Sequence, residues 1–215
     1  MPSYLDHIVI TAPTLDAGVH QVEQRLGVTL AAGGAHPRMG THNRLLRLGD
    51  AAYLEVIAPD PAAPRPAWPR WFGLDRLRPD SPPRLAAWVA RCDDIHAAAA
   101  NLADVFGTIQ PMTRGDLAWQ ITIRADGALP LGGAAPSLIE WQAGTHPARQ
   151  LPDAGCSLAE LVVHHPEPER VHGVLASIAL QSRPVVGWSG NEPPYLAATI
   201  NTPAGPRTLG PGSNI

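Results

Sequence analysis

A pattern of strands and helices recurs along this chain at a spacing of roughly 75–80 residues, and it constrains the fold more than any other feature. The first unit opens with a strand-like run at residues 5–13, followed by a helical pattern with Thr14 as N-cap and Gly27 as stop. Two more strand-like runs meet at Gly49-Asp50, a tight-turn signal. A short helix between strands covers one face of a sheet and leaves the other face free. Two such half-covered sheets joined edge to edge would form a cup.

The pattern returns twice. In the second unit, residues 84–92 form a strand-like run, and the segment from Asp93 to Gly107 predicts one helix capped by Asp93 or Asp94. The third unit, from residue 158, is less complete. We therefore predict an α+β fold with tandem βαβββ modules that form a cup-shaped mixed sheet, plus a partial βαββ unit at the C-terminus. The predicted boundaries are 1–60 for the first module, 61–83 for a Pro-rich connector, 84–145 for the second module, 146–157 for a linker, and 158–215 for the third unit and tail.

Composition excludes several classes of protein. Of the 215 residues 45% are hydrophobic and 16% charged, which is typical of a compact globular chain. The net charge is −3 and the arginines are scattered, which argues against a nucleic-acid partner. No apolar run is long enough to span a membrane and the first residues do not resemble a signal peptide, so we expect no membrane partner and a cytoplasmic location. Cys92 and Cys156 lack metal-type spacing and fit reduced thiols.

Strand alternation places two candidate polar side chains on one surface. His7 shares a strand face with Val9, whereas the isoleucines beside them point the opposite way. Glu55 shares a face with Tyr53 and Ile57 on the last strand of the first unit. If these strands are neighbours, His7 and Glu55 meet inside the cup. The alternative for His7 is a hydrogen-bonded structural role.

A polar segment, "HPRMGTHNRLLRLGD" at residues 36–50, stands out among apolar runs. The glycines around it allow close backbone approach to a ligand, and arginine suits carboxylates and phosphates. Alternation puts His42 and Arg44 on one face and Asn43 on the other, so one set faces the cup. A solvated strand edge is the alternative. The predicted substrate-binding residues here are His36, Arg38, Asn43 and Arg44, with His42 as a candidate acid/base.

A second candidate wall is "RGDLAWQITIRADGALPLGG", in which Trp119 and Arg124 are predicted to contact substrate. Core packing is the alternative for Trp119. The third unit leaves three roles open: a lid, a cover for a sheet edge, or a homodimer surface.

The module starts and ends, "LDHIVI" and "YLEVIA", together with "HPRMGTHNRLLRLGD", "ADGALPLGG" and "SLIEW", resemble bacterial glyoxalase-like proteins of the vicinal oxygen chelate superfamily. That superfamily includes glyoxalase I, extradiol dioxygenases, and fosfomycin and bleomycin resistance proteins. The resemblance covers nearly the whole chain. It implies metal ligands at His7, Glu55, Ala87 (or its neighbour Trp88) and Glu140. Neither Ala87 nor Trp88 can ligate, so the four-ligand pattern is incomplete.

Two hypotheses of function follow. The first is a metal-assisted isomerase, lyase or dioxygenase for a small molecule with vicinal oxygens. In it His7, Glu55 and Glu140 hold Fe, Mn, Ni or Zn, and no organic cofactor is used. Glu140 is also a candidate catalytic residue, since it can hydrogen-bond substrate instead. The second is a metal-free module that binds a small anionic or aromatic compound.

Overall fold

The computed structural model describes residues 2–211. Its strands are β1 (Ser3–Thr11), β2 (Ala31–His36), β3 (Thr41–Arg47), β4 (Tyr53–Pro59), β5 (Arg84–Cys92), β6 (Thr108–Arg114), β7 (Leu117–Ile123), β8 (Ser137–Ala143), β9 (Ser157–His165), β10 (Val185–Trp188), β11 (Tyr195–Thr202) and β12 (Gly205–Leu209). Its helices are α1 (Leu15–Leu26), α2 (Ile95–Ala99), α3 (Ala103–Phe106), α4 (Pro147–Gln150) and α5 (Pro168–Ser177). No helix within residues 2–211 combines the length and apolar character needed to cross a bilayer.

The first two units join into one mixed sheet of eight strands in the order β2-β3-β4-β1-β5-β8-β7-β6. In each unit the first strand pairs in parallel with the last: β1 with β4, and β5 with β8. The two halves meet through the antiparallel pair β1 and β5. The sheet curls until its edge strands β2 and β6 come into contact. This arrangement confirms the predicted α+β class and the cup.

The convex face of the cup carries the larger apolar core. Helix α1 buries Val22 and Leu26 in one cluster with Ile8 and Val56 of the sheet. Its ends are those that the sequence indicates, with Thr14 accepting from the backbone N–H of residue 17 and Gly27 in the left-handed region.

The third unit lies on the same convex side. Its sheet has the order β10-β9-β11-β12, with one strand more than the predicted βαββ pattern. Leu161, Leu175 and Ile200 of this unit belong to the same core cluster as α1 and the convex face of the main sheet. The third unit therefore covers the back of the cup and is not a lid over its mouth.

The predicted helix of the second unit is broken. The segment forms the short helices α2 and α3, and Asn101 between them adopts a left-handed φ of 62°. Asp94 caps the first helix, and Gly107 ends the second, as predicted. Periodicity alone could not reveal the break, because Asn tolerates the left-handed conformation without interrupting the apolar pattern.

The concave face is closed by the Pro-rich connector. Trp71, Phe72 and Leu74 of the connector are at most 6% exposed and pack in one cluster with concave-face residues of the sheet. A backbone hydrogen bond from Gly73 to Gly127 and a hydrogen bond from Arg70 Nε to the Gly40 carbonyl hold the segment in place, and an ion pair between Arg70 and Asp75 lies within it. The connector therefore fills much of the cup and divides the space that remains open on the concave face.

Candidate functional site

The concave face brings His7 and Glu55 together. Strands β1 and β4 are direct neighbours, and Val9 is the register partner of Glu55. The imidazole Nε2 of His7 lies 3.7 Å from Oε2 of Glu55, and both side chains are buried. The strand-alternation argument therefore placed this pair on the correct surface.

Asp6 fixes the imidazole from behind. A bulge in the β1–β5 pairing between Leu5 and His7 turns the Asp6 side chain to the same side as that of His7, its neighbour in sequence. Asp6 is fully buried, and its Oδ1 lies 2.6 Å from Nδ1 of His7. Its Oδ2 accepts hydrogen bonds from Trp141 Nε1 and His146 Nε2, each at 2.9 Å. Burial acts to raise the pKa of Asp6, but the hydrogen bonds from His146 and His7 outweigh it and hold the pKa well below its usual range.

This arrangement sets the tautomer of His7. An ionised Asp6 can only accept, so Nδ1 of the imidazole donates to it, and Nε2 of the neutral ring carries its lone pair toward Glu55. Two electron-pair donors then face each other across 3.7 Å, a gap too long for a hydrogen bond. Such a gap is wide enough for a metal ion that would accept both lone pairs.

Asn43 holds the Glu55 carboxylate. Its Nδ2 donates to Oε1 of Glu55 at 2.5 Å, while its Oδ1 accepts from the backbone N–H of Gly34 at 2.8 Å. Of the two faces of β3, the one that contains Asn43 is therefore the face that lines the cup. Glu55 is left with its second oxygen, Oε2, directed at His7.

Arg114 joins the site from the opposite edge of the sheet. It lies at the end of β6, and its Nη1 contacts Nε2 of His36 at 3.2 Å and Oδ1 of Asn43 at 3.3 Å. Because arginine can only donate, Nε2 of His36 accepts, and Nδ1 of the same ring donates to Thr41 Oγ1 at 3.2 Å. Burial first, and the positive charge of Arg114 second, lower the pKa of His36 to about 3. His36 is therefore a neutral hydrogen-bonding residue at ordinary pH.

These polar groups surround an inner cavity of about 30 Å³. That volume is room for an ion or about one or two water molecules. Its remaining wall is aromatic and aliphatic, and consists of Leu45, Tyr53, Trp71, Phe72, Trp119, Ile121, Ile139 and Trp141. Tyr53 stacks on the His7 ring at a centroid distance of 4.5 Å, which limits rotation of the imidazole.

A second cavity, here called the outer cavity, has a volume of about 300 Å³, and two of the predicted arginines line it. Arg38 donates to the Pro111 carbonyl and to Gln110, and its guanidinium lies over the Trp68 ring. Arg124 lines the same cavity and donates to backbone carbonyls of α3. Both arginines therefore rim this cavity and do not reach His7.

Three predicted residues lie away from the cup. Glu140 is on the convex side of β8, where its Oε2 accepts from the backbone N–H of Ile95 at 2.8 Å and caps α2. His42 and Arg44 lie on the face of β3 opposite Asn43, and Arg44 is exposed. The structure does not bring these side chains together with His7 and Glu55. The reason is strand alternation: Ile139 and Trp141 take the concave face of β8, and Asn43 takes that of β3.

Sequence reasoning missed Asp6, Arg114 and His146. Regular alternation assigns Asp6 to the opposite face from His7, and only the bulge reverses that assignment. Arg114 reaches the site only because the sheet curls and brings β6 into contact with β2. His146 stands in the predicted linker, and the neighbouring sequence gives no signal that it contacts Asp6. Trp71 and Phe72 in the Pro-rich connector could have indicated that this segment packs against the sheet, since a solvated linker rarely contains two adjacent large aromatic residues.

Gly33 offers a test of how tightly this network is packed. A Cβ at Gly33 would stand 2.0 Å from Asn43 Oδ1 and 2.4 Å from the Asn43 carbonyl oxygen, so Gly33→Ala must displace Asn43. We expect it to lower the free energy of unfolding by about 1–3 kcal/mol, measured by urea denaturation. Gly34→Ala is the matched control, because its Cβ meets only the flexible Arg114 side chain, at 3.0 Å. Equal losses in the two variants would contradict the tight contact at Asn43.

Comparison with known proteins identifies the family. A model of the glyoxalase-like domain matches residues 5–179, whereas no curated protein sequence matches the chain. A hypothetical protein from Staphylococcus aureus superimposes with a TM-score of 0.55 at 15% identity, over 83% of this chain and 75% of that one. Methylmalonyl-CoA epimerase from Mycobacterium tuberculosis gives a TM-score of 0.42 at 19% identity, over 66% and 88% of the two chains. The Streptomyces coelicolor epimerase with 2-nitronate-propionyl-CoA gives 0.43 at 18%, over 63% and 92%. The chain belongs to the glyoxalase-like domain family.

Proposed function

We propose that this protein is a metal-assisted enzyme of the isomerase, lyase or dioxygenase type that acts on a small molecule with oxygens on neighbouring carbons. The observation that carries the proposal is the alignment of Asp6, His7 and Glu55. The carboxylate of Asp6 orients the imidazole, and the lone pair of Nε2 faces a second carboxylate across 3.7 Å. In metal sites a ligand histidine commonly donates its other ring N–H to a carboxylate, which fixes the orientation of the ring.

His7 and Glu55 fit a divalent ion as a pair of ligands. Ligand distances of about 2.0–2.2 Å let two donor atoms up to about 4.2 Å apart share one ion. Within residues 2–211 no group of three His, Cys, Asp or Glu side chains is placed to hold an ion, so the remaining positions would be open to water or substrate. A bound ion would act as a Lewis acid toward the substrate oxygens. Asp6 and Asn43 keep the two ligands in place, and the aromatic wall limits access of water.

Titration with metal tests this proposal. We expect wild-type protein, purified without a His-tag and dialysed against EDTA, to bind about one Mn²⁺, Ni²⁺ or Zn²⁺ by isothermal titration calorimetry. Glu55→Gln should weaken that binding at least about 100-fold, or about 2.7 kcal/mol, because it removes the charged ligand. The glutamine can still accept the hydrogen bond from Asn43, so the fold should persist, as circular dichroism would verify.

Glu140→Gln is the matched control. It makes the same chemical change on another strand of the same sheet, β8, but on the convex side, and we expect wild-type metal affinity. The proposal would be wrong if wild-type protein bound no metal, or if the two variants lost metal affinity equally.

A second candidate is a metal-free module that binds a small anionic or aromatic compound. The observations that favour it are the two-donor set and the outer cavity, which is lined by apolar side chains with arginines at its rim. Thermal-shift measurements separate the candidates. A ligand-induced shift that is the same with Mn²⁺ and with EDTA favours metal-free binding, and a shift lost in EDTA favours the metal-assisted enzyme.

A further inference from the structure

The inner and outer cavities lie side by side on the same concave face. On three structural elements, one residue lines the inner cavity and another residue two or three positions away lines the outer cavity. The pairs, with the inner residue first, are Arg114 and Met112 on β6, Ile121 and Ile123 on β7, and Trp71 and Trp68 on the connector. Since side chains two residues apart on a strand are adjacent on one face, the two cavities are separated by about one side chain.

Met39 and Met112 form the wall between the cavities. Both line the outer cavity, and both are buried in one cluster with Trp71, Trp119 and Ile121 of the inner wall. Met112 is also the register partner of Trp119 across the β6–β7 pair. Methionine is unbranched and rotates about three bonds, so it re-packs at lower cost than a branched side chain.

The volumes indicate that neither cavity is a complete site. The inner cavity has the polar groups but only about 30 Å³, too little for an organic substrate. The outer cavity has about 300 Å³, and most of its wall is apolar: Met39, Trp68, Pro69, Met112, Ile123 and Ala125. Ligand sites of small molecules usually combine an apolar enclosure of this size with a few polar groups.

We propose that the two cavities are the halves of one ligand site, in which Met39 and Met112 move aside for a molecule with an oxygenated anionic head and an apolar tail. The proposal rests on the function proposed above for His7 and Glu55, and it adds the substrate class. The head lies at the inner cavity, where Arg114 supplies positive charge. Within residues 2–211 its Nε and Nη2 have no hydrogen-bond partner. The tail extends past the methionines into the outer cavity.

A homologous series of 2-oxocarboxylates, from pyruvate to 2-oxooctanoate, tests the tail. These probes keep two oxygen-bearing neighbouring carbons and add one methylene at a time. We expect the dissociation constant to fall about fourfold per methylene. Quenching of intrinsic tryptophan fluorescence measures it, since Trp68 lines the outer cavity and Trp71 the inner one. The titrations are run with Mn²⁺ and, separately, with EDTA.

Ala125→Trp is the blocking variant. Ala125 is exposed and lines the outer cavity, so the indole should fill the space for the tail without disturbing the core. We expect the dependence on chain length to disappear while pyruvate binds as before. Ala128→Trp, in the same loop but outside the cavity lining, should keep the wild-type dependence.

The dependence of the dissociation constant on chain length tests the tail site, and the effect of EDTA tests the metal. A dissociation constant that does not change with chain length in wild-type protein overturns the proposal, as does failure of every member to bind at millimolar concentration. Loss of the slope in Ala128→Trp also overturns it. If the dissociation constant still falls with chain length in EDTA and calorimetry detects no metal uptake, the tail site is supported. In that case only the metal-assisted function is contradicted.

Discussion

Replacing Asp6 with asparagine should lower the free energy of unfolding by about 3 kcal/mol, the largest effect that we expect from one polar substitution in this protein. The Asp6 carboxylate is 0% exposed and accepts from three donors: His7, Trp141 and His146. An asparagine of the same shape has one oxygen, and its NH₂ group would face N–H donors. At least one buried donor then loses its acceptor, and the desolvation cost of that donor is no longer offset.

The same substitution should weaken metal binding about 10–100-fold, because the His7 ring loses the acceptor that sets its tautomer and orientation. Urea denaturation and calorimetry measure the two effects. Asp16→Asn is the control for stability, since Asp16 is exposed in the first turn of α1, and a change within about 0.5 kcal/mol is expected there. A loss below about 1 kcal/mol for Asp6→Asn would show that the carboxylate is not the organising acceptor of the site.

Stability should also fall steeply as the solution is acidified from pH 6.5, because His36 cannot take up a proton in the folded state. Burial and the charge of Arg114 lower its pKa to about 3, whereas an unfolded histidine titrates near pH 6.5. Between these values the unfolded chain binds more protons than the folded one, so the free energy of unfolding rises with pH. His36 should contribute up to about 1.4 kcal/mol per pH unit over that window, and its contribution should be constant above it.

Below about pH 4 Asp6 adds to the loss, since the stability supplied by an ionised carboxylate of lowered pKa disappears as it is protonated. The His36 contribution is therefore isolated by urea denaturation between pH 4.5 and 6.5. His36→Gln can still contact Arg114 but does not titrate, and it should flatten the slope. His20→Gln, on the exposed face of α1, should leave the slope unchanged. Identical slopes in wild type and His36→Gln would contradict the lowered pKa.

Much of the fold followed from local pattern. The repeated order of strands and helices indicated two modules and a cup, and period-2 alternation put His7 and Glu55 on one concave surface. The same alternation could not say which face of β3 lines the cup. In the structure it is the face of Asn43, whose amide donates a hydrogen bond to the Glu55 carboxylate. The family resemblance implied that Glu140 faces the cup, but its side chain lies on the convex face of β8.

The amino-acid pattern alone predicted the modules, the ends of α1, and the strand faces that carry His7 and Glu55, since each depends on periodicity or on neighbours along the chain. The meeting of His7 with Glu55 and the rest of the site depend on contacts between strands that are distant along the chain. A bulge in the pairing of β1 with β5 turns Asp6 inward, and closure of the sheet brings Arg114 to His36. The connector fills the cup because Trp71 and Phe72 bury apolar surface there. These contacts join residues distant in sequence or depend on one irregular pair, so no local pattern encodes them.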